Sequence, residues 1–171
     1  QTPAHVAVSE GNSEALIVLA RLGADLEKNG REMIYRAVQA NHGSVITTLF
    51  QLGVGASLED DDSRLGTPLH EAAGSNKLAA VEALIALGAD PNKRDLFART
   101  ALHKAALGGS VPVVQALVNA GARLDEPSLP LGYTPLHYAA ENENPGIVKI
   151  LLDSGADPDA IDLRDYTPFD A

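Results

Sequence analysis

Residues 67–90 read TPLHEAAGSNKLAAVEALIALGAD, and this stretch decides the fold. Thr67 and Pro68 mark a helix start, because Thr favours the N-cap and Pro fits the first helical position, where a missing N–H costs nothing. Asn76 tolerates a left-handed conformation and ends that helix, and Gly88 ends a second one. The stretch therefore predicts two short helices joined by a tight turn.

The same phrases recur along the whole chain. The Thr phrase returns as TPAH at residue 2, TALH at residue 100, TPLH at residue 134 and TPFD at residue 167. A Gly follows 21 residues after the start of the phrase in five units, at residues 23, 53, 88, 121 and 155. The Gly at residue 53 identifies EMIY at residues 32–35 as a degenerate copy, which gives repeat lengths of 30, 35, 33, 34 and 33 residues. Such a period is typical of stacked repeat arrays.

These residues resemble the ankyrin repeat family, whose unit is a β-turn followed by two antiparallel helices. The resemblance covers essentially all 171 residues. It implies an all-α repeat solenoid of stacked helix–turn–helix units joined by β-hairpin-like fingers. We expect a single array over residues 1–171, with units at about 2–31, 32–66, 67–99, 100–133 and 134–166. A sixth unit starts at 167–171, and the array is expected to be a segment of a longer protein.

The apolar spacing predicts which helix faces form the core. In the first helix, residues three and four apart lie on one face, and these are Leu69, Ala72, Ala73; Leu102, Ala105, Ala106; and Leu136, Ala139, Ala140. The second helix buries Leu16, Leu19, Ala20; Ile46, Leu49, Phe50; Val81, Leu84, Ile85; Val114, Leu117, Val118; and Val148, Leu151, Leu152. The small Ala residues allow neighbouring helices to approach closely.

The turn inside each unit needs a residue that tolerates a left-handed backbone. Such residues end the first helix in four units, at Gly11, Asn41, Asn76 and Gly109. Glu143 holds this place in the fifth unit and predicts a different turn there. The second helix restarts at polar residues, Asn12, Ser110 and Asn144, with Pro112 and Pro145 in its first turn.

Composition limits the function classes. The chain has no Cys, which excludes disulfides and cysteine-bound metals and is compatible with a reducing, intracellular and cytoplasmic setting, with the nucleus as the alternative. A net charge of −10 argues against nucleic-acid binding, which depends on neutralising phosphates, and against anionic membranes. The longest mostly apolar stretch is too short to cross a bilayer. A basic protein or peptide suits this charge better.

Four of the five histidines, His5, His70, His103 and His137, occupy the same slot in their units. Stacked helices lie about 8–10 Å apart, whereas nitrogens sharing one zinc at about 2.0–2.1 Å must be much closer to each other. We therefore expect these rings to hydrogen-bond the backbone or Thr hydroxyls of the turn, not a metal. His42 is expected on the surface.

No catalytic arrangement or cofactor motif is present in the sequence. It lacks a Cys nucleophile, a GxSxG elbow and a phosphate-binding glycine loop. The acidic run EDDD at residues 59–62 lacks the sharp glycine turn of calcium loops and is expected to be a solvated loop. We therefore expect neither catalysis, nor a cofactor, nor a metal.

The surface is what remains for function. By the family resemblance, finger tips and the exposed side of each first helix form a concave groove. Large apolar residues gather in the last three fingers, beside Arg and Tyr, which are enriched at binding hot spots. The predicted partner-binding residues are Arg64, Leu96, Phe97, Arg99, Lys104, Leu107, Leu131, Tyr133, Tyr138, Glu141, Arg164 and Tyr166.

This pattern predicts a monomeric, non-enzymatic module that binds a partner protein or peptide in its groove. Packing of one finger against the next is the alternative explanation for the apolar finger residues, because single exposed apolar residues are ordinary. Another alternative is a regulatory or targeting segment of a larger enzyme, channel or pathogen effector, whose chemistry lies outside these residues. The sequence does not separate these alternatives, because fold does not carry function. A mechanical spacer is disfavoured by the apolar fingers.

Overall fold

The computed structural model describes residues 2–54 and 66–170 of the chain. These residues form an all-α repeat solenoid of ten α-helices, with one short 3-10 helix at Glu27–Asn29. The helices are α1 (Pro3–Ser9), α2 (Ser13–Arg21), α3 (Gly30–Gln39), α4 (Gly43–Gln51), α5 (Pro68–Gly74), α6 (Leu78–Ala86), α7 (Ala101–Gly108), α8 (Val111–Asn119), α9 (Pro135–Glu141) and α10 (Pro145–Asp153).

The helices stack in two parallel rows. Each odd-numbered helix packs on the next odd-numbered one, as α5 does on α7 and α7 on α9. The even-numbered helices stack in the same way, and each pair such as α5 and α6 forms one hairpin. Every unit therefore contacts its neighbours. The core is a thin, continuous layer of buried side chains between the two rows of helices.

The helix starts are confirmed. Thr2, Thr67, Thr100 and Thr134 are the N-caps of α1, α5, α7 and α9, each with an extended backbone. The His three residues later accepts the N–H of its Thr through Nδ1, at 3.0–3.3 Å. The His ring thus takes the place that Glu or Gln has in a capping box.

The prediction for the turn at Glu143 is wrong. Glu143 has φ of 50°, in the same left-handed region as Asn41, Asn76, Gly11 and Gly109. Its N–H donates to Ala140 O at 2.9 Å, and Asn144 N–H donates to Ala139 O at 3.1 Å. These two bonds hold the turn in the shared geometry, so a strained Glu is tolerated there.

The predicted core is largely correct. The Leu and Ala of the first helices are buried except Ala140, which is partly exposed, and Ala72, Ala73, Ala105 and Ala106 are fully inaccessible. Leu152 is the largest error, because it is 36% exposed on α10, the last described helix, which packs mainly against α8 and α9. The sequence prediction also missed one buried position on the second helices, occupied by Val45, Ala80, Val113 and Ile147.

The second unit starts differently from the others. In units that open with Thr, the first helix begins one residue after it, which corresponds to Met33 here. Instead α3 begins at Gly30, and Asn29 is its N-cap residue without a side-chain capping bond. No Thr–Pro pair stands at residues 32–33 to stop the helix, so it extends backwards, while Met33, Ile34 and Ala37 keep the core face.

His42, which the sequence predicts on the surface, is partly exposed and also contacts the preceding unit. It is the N-cap of α4 and is half-buried, with Nε2 3.1 Å from Ser9 O in the preceding unit. Its ring lies against Gly11, where an added Cβ would meet the ring at 3.0 Å. The histidine therefore joins the first two units.

Candidate partner-binding surface

Three fingers follow the last three units, at residues 95–99, 128–133 and 162–166. A buried carboxylate organises the first of them. Asp95, whose side chain is 1% exposed, accepts the N–H groups of Phe97 and Arg99 at 2.8 and 2.9 Å through Oδ1. Its Oδ2 accepts Nε and Nη2 of Arg99, both at 2.9 Å. Burial raises the pKa of Asp95, but the hydrogen bonds from Arg99 and Phe97 outweigh it, and the pKa lies below its ordinary value.

The Asp162 finger repeats this design. Asp162 accepts the N–H groups of Arg164 and Tyr166 at 2.7 and 3.1 Å through Oδ1. Its Oδ2 accepts Nε and Nη2 of Arg164 at 2.9 and 2.8 Å. Backbone bonds close both fingers in the same way, from Asp95 N–H to Arg99 O and from Asp162 N–H to Tyr166 O. The two fingers are thus built around an ionised aspartate and its own arginine.

The finger between them lacks the carboxylate and is one residue longer. Ser128 stands at its base, and its N–H and Oγ both donate to Tyr133 O at 2.9 Å. Ser128 Oγ also lies 3.2 Å from the Tyr138 hydroxyl. A neutral hydroxyl that donates to a carbonyl therefore stands where the fingers on either side have a carboxylate that accepts N–H groups.

Backbone hydrogen bonds join the three fingers to one another. Leu129 N–H donates to Phe97 O at 2.7 Å, and Leu163 N–H donates to Leu131 O at 2.8 Å. These contacts are single bonds, and no β-sheet forms among the described residues. Six apolar side chains that are 39–73% exposed stand along the joined fingers, and we call them the finger ridge: Leu96, Phe97, Leu129, Leu131, Leu163 and Tyr166.

The repeated histidines tie each helix to the finger that follows. The Nε2 atoms of His70 and His137 lie 2.9 and 3.1 Å from Arg99 O and Tyr166 O. His103 Nε2 lies 2.8 Å from Glu126 O and 3.1 Å from Tyr133 O. Because both ring nitrogens are occupied by the protein, the expected structural role of these three histidines is confirmed.

His103 is held in its neutral form. It is fully buried, and burial lowers its pKa to about 4, assisted by Arg94 and opposed by the hydrogen bonds to Glu126 and Tyr133. The neutral ring donates through Nε2 and accepts through Nδ1, which the Thr100 N–H approaches at 3.0 Å.

The first two units depart from this pattern in instructive ways. His5 Nε2 lies 3.6 Å from the Glu32 carboxylate instead of a backbone carbonyl. Tyr35 replaces the histidine of the second unit, and its hydroxyl donates to Gly66 O at 2.9 Å. Gly66 directly precedes Thr67, as Arg99 precedes Thr100, so a tyrosine makes the same helix-to-finger bond.

The predicted binding residues fall into exposed and supporting groups. Leu96, Phe97, Leu131 and Tyr166 belong to the ridge, and Leu107 and Glu141 are exposed on α7 and α9. Arg64, together with the acidic run at 59–62, lies outside the described residues.

Tyr133 is buried rather than presented to a partner. It is 7% exposed, and its ring stacks on His137 with centroids 5.1 Å apart. Its hydroxyl accepts Arg164 Nη2 at 2.6 Å. The Tyr138 ring packs edge-on against it at 5.3 Å and is half-buried. These two tyrosines support the ridge from below.

The cationic residues are also largely occupied within the protein. The Arg99 guanidinium lies 4.8 Å from the centre of the Phe97 ring, and that of Arg164 lies 5.4 Å from Tyr166. Lys104 Nζ lies 3.9 Å from Asp95 Oδ2, and burial and the nearby Arg99 lower its pKa. The two arginines therefore position Phe97 and Tyr166.

Asp95, Asp162 and Ser128 are the important residues that the sequence prediction missed. A signal was present, because an Asp stands five residues before Thr100 and before Thr167, and a Ser stands six residues before Thr134. An acidic residue in a connecting segment is normally predicted to be exposed to solvent, so nothing in the sequence indicated that these aspartates are buried.

Comparison with known proteins agrees with the repeat geometry. Residues 69–162 match the model of ankyrin repeats in three copies. The chain belongs to the ankyrin repeat family. Its units outside that range follow the same helix pairing, as α1 with α2 and α3 with α4 show.

Several longer proteins contain a similar ankyrin array. The chain is 38% identical over 147 residues to the BTB/POZ domain and ankyrin repeat-containing protein NBCL of Lupinus angustifolius, covering 86% of this chain and 22% of that protein. It is 34% identical over 171 residues to human B-cell lymphoma 3 protein, covering 95% of this chain and 30% of that protein. The nuclear factor NF-kappa-B p105 subunit of Gallus gallus is 29% identical over 163 residues, with 92% and 17% covered. This array thus spans less than a third of each relative.

Two further features of the described residues concern membranes and metal ions. None of their helices has the length and apolar character required to cross a bilayer. Their His, Asp and Glu side chains form no group of three or more arranged to hold a metal ion.

Proposed function

We propose that this ankyrin array binds a partner protein or peptide on the concave side of its last three units, without catalysis. The finger ridge carries this proposal. Its six large apolar side chains are exposed together on fingers that are fixed by buried hydrogen bonds. A clustered, exposed apolar surface of this kind is typical of protein-binding sites.

Preorganisation supports the same proposal. The backbone bonds from Leu129 to Phe97 and from Leu163 to Leu131 fix the fingers relative to one another. A partner therefore loses little free energy in ordering this surface. Packing of finger on finger does not account for the ridge, because Leu163 remains 73% exposed and Leu96 62% exposed.

The charge of the chain favours a basic partner. The net charge is −10, and the finger arginines Arg99 and Arg164 are paired with Asp95 and Asp162. The electrostatic attraction would accelerate association most strongly at low salt. We also propose that the array acts as a monomer inside the cell, in the cytoplasm or nucleus.

A second candidate is a regulatory or targeting array within a larger protein. The relatives favour it, because each is more than three times longer than the matched segment. In this case the ridge binds a regulator or target, and any chemistry belongs to another part of the polypeptide.

Site-specific crosslinking tests the binding surface. A photoreactive residue at Leu96 or Leu131, compared with one at Glu82 on α6 or Lys149 on α10, reports which face the partner contacts in cells. We expect a protein adduct from the two ridge positions and little from the two helix positions. Equal yields from both faces would contradict the proposal.

Affinity measurements with the captured partner refine the test. We expect Phe97→Ala or Tyr166→Ala to weaken binding by about tenfold or more, as truncated hot-spot residues do. Glu82→Ala and Lys149→Ala are the matched controls and should leave the affinity unchanged.

A further inference from the structure

The dimensions of the finger ridge restrict the shape of its partner. Hydrogen-bonded neighbouring segments lie about 4.7–4.9 Å apart, and each finger contributes an outgoing and a returning segment. The ridge therefore repeats about every 10 Å, in agreement with the spacing of about 8–10 Å between packed helices. A partner that contacts all three fingers must present apolar groups at this interval on one face.

An extended strand does not meet this requirement. Its residues on one face recur every second position, which is about 6.6 Å. This repeat does not match the finger interval of about 10 Å. A polyproline II helix repeats every three residues, about 9.3 Å, and an α-helix recurs every heptad, about 10.5 Å. Only the two helical conformations match the finger interval.

The number of apolar side chains on each finger separates these two. Every finger exposes two, namely Leu96 with Phe97, Leu129 with Leu131, and Leu163 with Tyr166. An amphipathic α-helix offers two apolar residues per heptad on one face. A polyproline II helix brings one residue per turn to a given face. The ridge thus matches the apolar stripe of an α-helix.

The charges near the ridge indicate which end of the bound segment is basic. Glu141 on α9 and Asp165 in the Asp162 finger are exposed and form no salt bridge with any other described residue. Arg164 is already bonded to Asp162 and to Tyr133. The fifth unit therefore leaves unneutralised negative charge at the end of the ridge.

We propose that the finger ridge binds an amphipathic α-helix of about three heptads, with apolar residues at heptad spacing and basic residues at the end over the fifth unit. This inference rests on the proposed function. It specifies the conformation and the charge of the segment that the array recognises.

Selection from a displayed library of random peptides of about 21 residues, three heptads, tests the proposal. The target is the full chain, and the counter-target is the Phe97→Ser, Leu131→Ser, Leu163→Ser variant, which removes one apolar side chain from each finger. Leu22→Ser, at a residue that is 78% exposed on the opposite end of the array, is the matched control. Thermal melts of all three proteins establish that they are folded.

We expect the peptides that depend on the ridge to show apolar residues at a period of 3.5–3.6 and Lys or Arg at one end. They should gain helical circular dichroism on binding, bind the triple variant at least about tenfold more weakly, and bind the Leu22→Ser control normally. Glu141→Gln should weaken the basic peptides selectively.

Two results would overturn the proposal in distinguishable ways. Ridge-dependent peptides with an apolar period of two, or Pro-rich peptides with a period of three, would refute the helix and leave the binding surface intact. Peptides that bind the triple variant as tightly as the unmodified chain would refute the helix proposal and count against the ridge as the partner site.

Discussion

The Asp95 and Asp162 fingers and the longer Ser128 finger are each closed by a backbone hydrogen bond at the base, but they are held together by different chemistry. In the first two, one buried carboxylate accepts two backbone N–H groups and an arginine. In the third, a hydroxyl donates to one carbonyl, and His103 on α7 bonds the same carbonyl. Closing a finger at its base therefore does not depend on one kind of interaction.

The difference teaches where each finger is vulnerable. Charged hydrogen bonds are roughly twice as strong as neutral ones, but they fail completely if the carboxylate is removed. The Ser128 finger relies on a histidine that must remain neutral. We thus expect mutation to destabilise the Asp95 finger more than the Ser128 finger, and acid to destabilise the Ser128 finger first.

The largest expected effect comes from removing a carboxylate. Asp95→Ala leaves the Phe97 and Arg99 N–H groups and a partly buried guanidinium without their acceptor, and we expect a loss of about 3–5 kcal/mol in the free energy of unfolding. Ser128→Ala removes one neutral hydroxyl and should cost about 1 kcal/mol. Chemical denaturation of both variants measures the two values.

Equal losses in these two variants would break the comparison. Asp95→Asn sharpens it, because the amide keeps an acceptor for the backbone but loses the charge that Arg99 requires. We expect its stability to fall between that of the unmodified chain and that of Asp95→Ala.

Acid should weaken the Ser128 finger before the other two. The folded pKa of His103 is about 4 and its ordinary value is about 6.5, so its contribution is complete above pH 6.5 and is lost as the pH falls towards 4. The full difference corresponds to about 3 kcal/mol of unfolding free energy. The lowered pKa of Asp95 keeps its finger ionised through this window.

Amide hydrogen exchange between pH 7 and 4, corrected for the intrinsic rates, distinguishes the fingers. Protection should fall first at Leu129 and Gly132, while Phe97 and Arg99 retain theirs. His103→Ala is the control, since it should be about 1–3 kcal/mol less stable at neutral pH and should lack the His103 contribution to the pH dependence. Uniform loss of protection across the three fingers would contradict this assignment.

The smallest expected effect concerns the tie between helix and finger. Tyr35→Phe removes the hydroxyl that donates to Gly66 O and should cost about 1 kcal/mol. Tyr166→Phe, at a half-exposed ring on the ridge, is the control and should be neutral. A neutral Tyr35→Phe would show that this bond does not replace the histidine tie of the other units.

Much of the fold could be predicted because its signals are local. Thr100 caps a helix through its own backbone, and Ala105 and Ala106 face the neighbouring helix because of helical spacing. Each such signal recurs in several units, so a unit with the complete motif allows a unit with a substituted motif to be recognised. The errors arose where a neighbour overrides the local preference, as at Glu143, whose strained turn is held by Ala139 and Ala140.

The candidate surface was harder to predict, because the type of a residue does not determine whether its side chain is exposed to solvent. Phe97 and Tyr133 look equally suited to binding in the sequence, yet Phe97 is 48% exposed and Tyr133 lies between His137 and Tyr138. Likewise, Asp95 and Asp165 are both acids in connecting segments, but only Asp95 is buried.

The sequence by itself determined the repeat, the helix pairs, the capping residues and the acidic charge, since these follow from spacing and composition over a few turns of helix. Only the tertiary structure decided which carboxylates are buried in the fingers and which apolar side chains form the ridge. It also decided that a tyrosine replaces the histidine that bonds the following finger in the other units. For the ties and the ridge, the physical reason is distance along the chain. Contacts such as His137 with Tyr166 O, or Leu163 N–H with Leu131 O, join residues about thirty positions apart, and they exist only after the units have stacked.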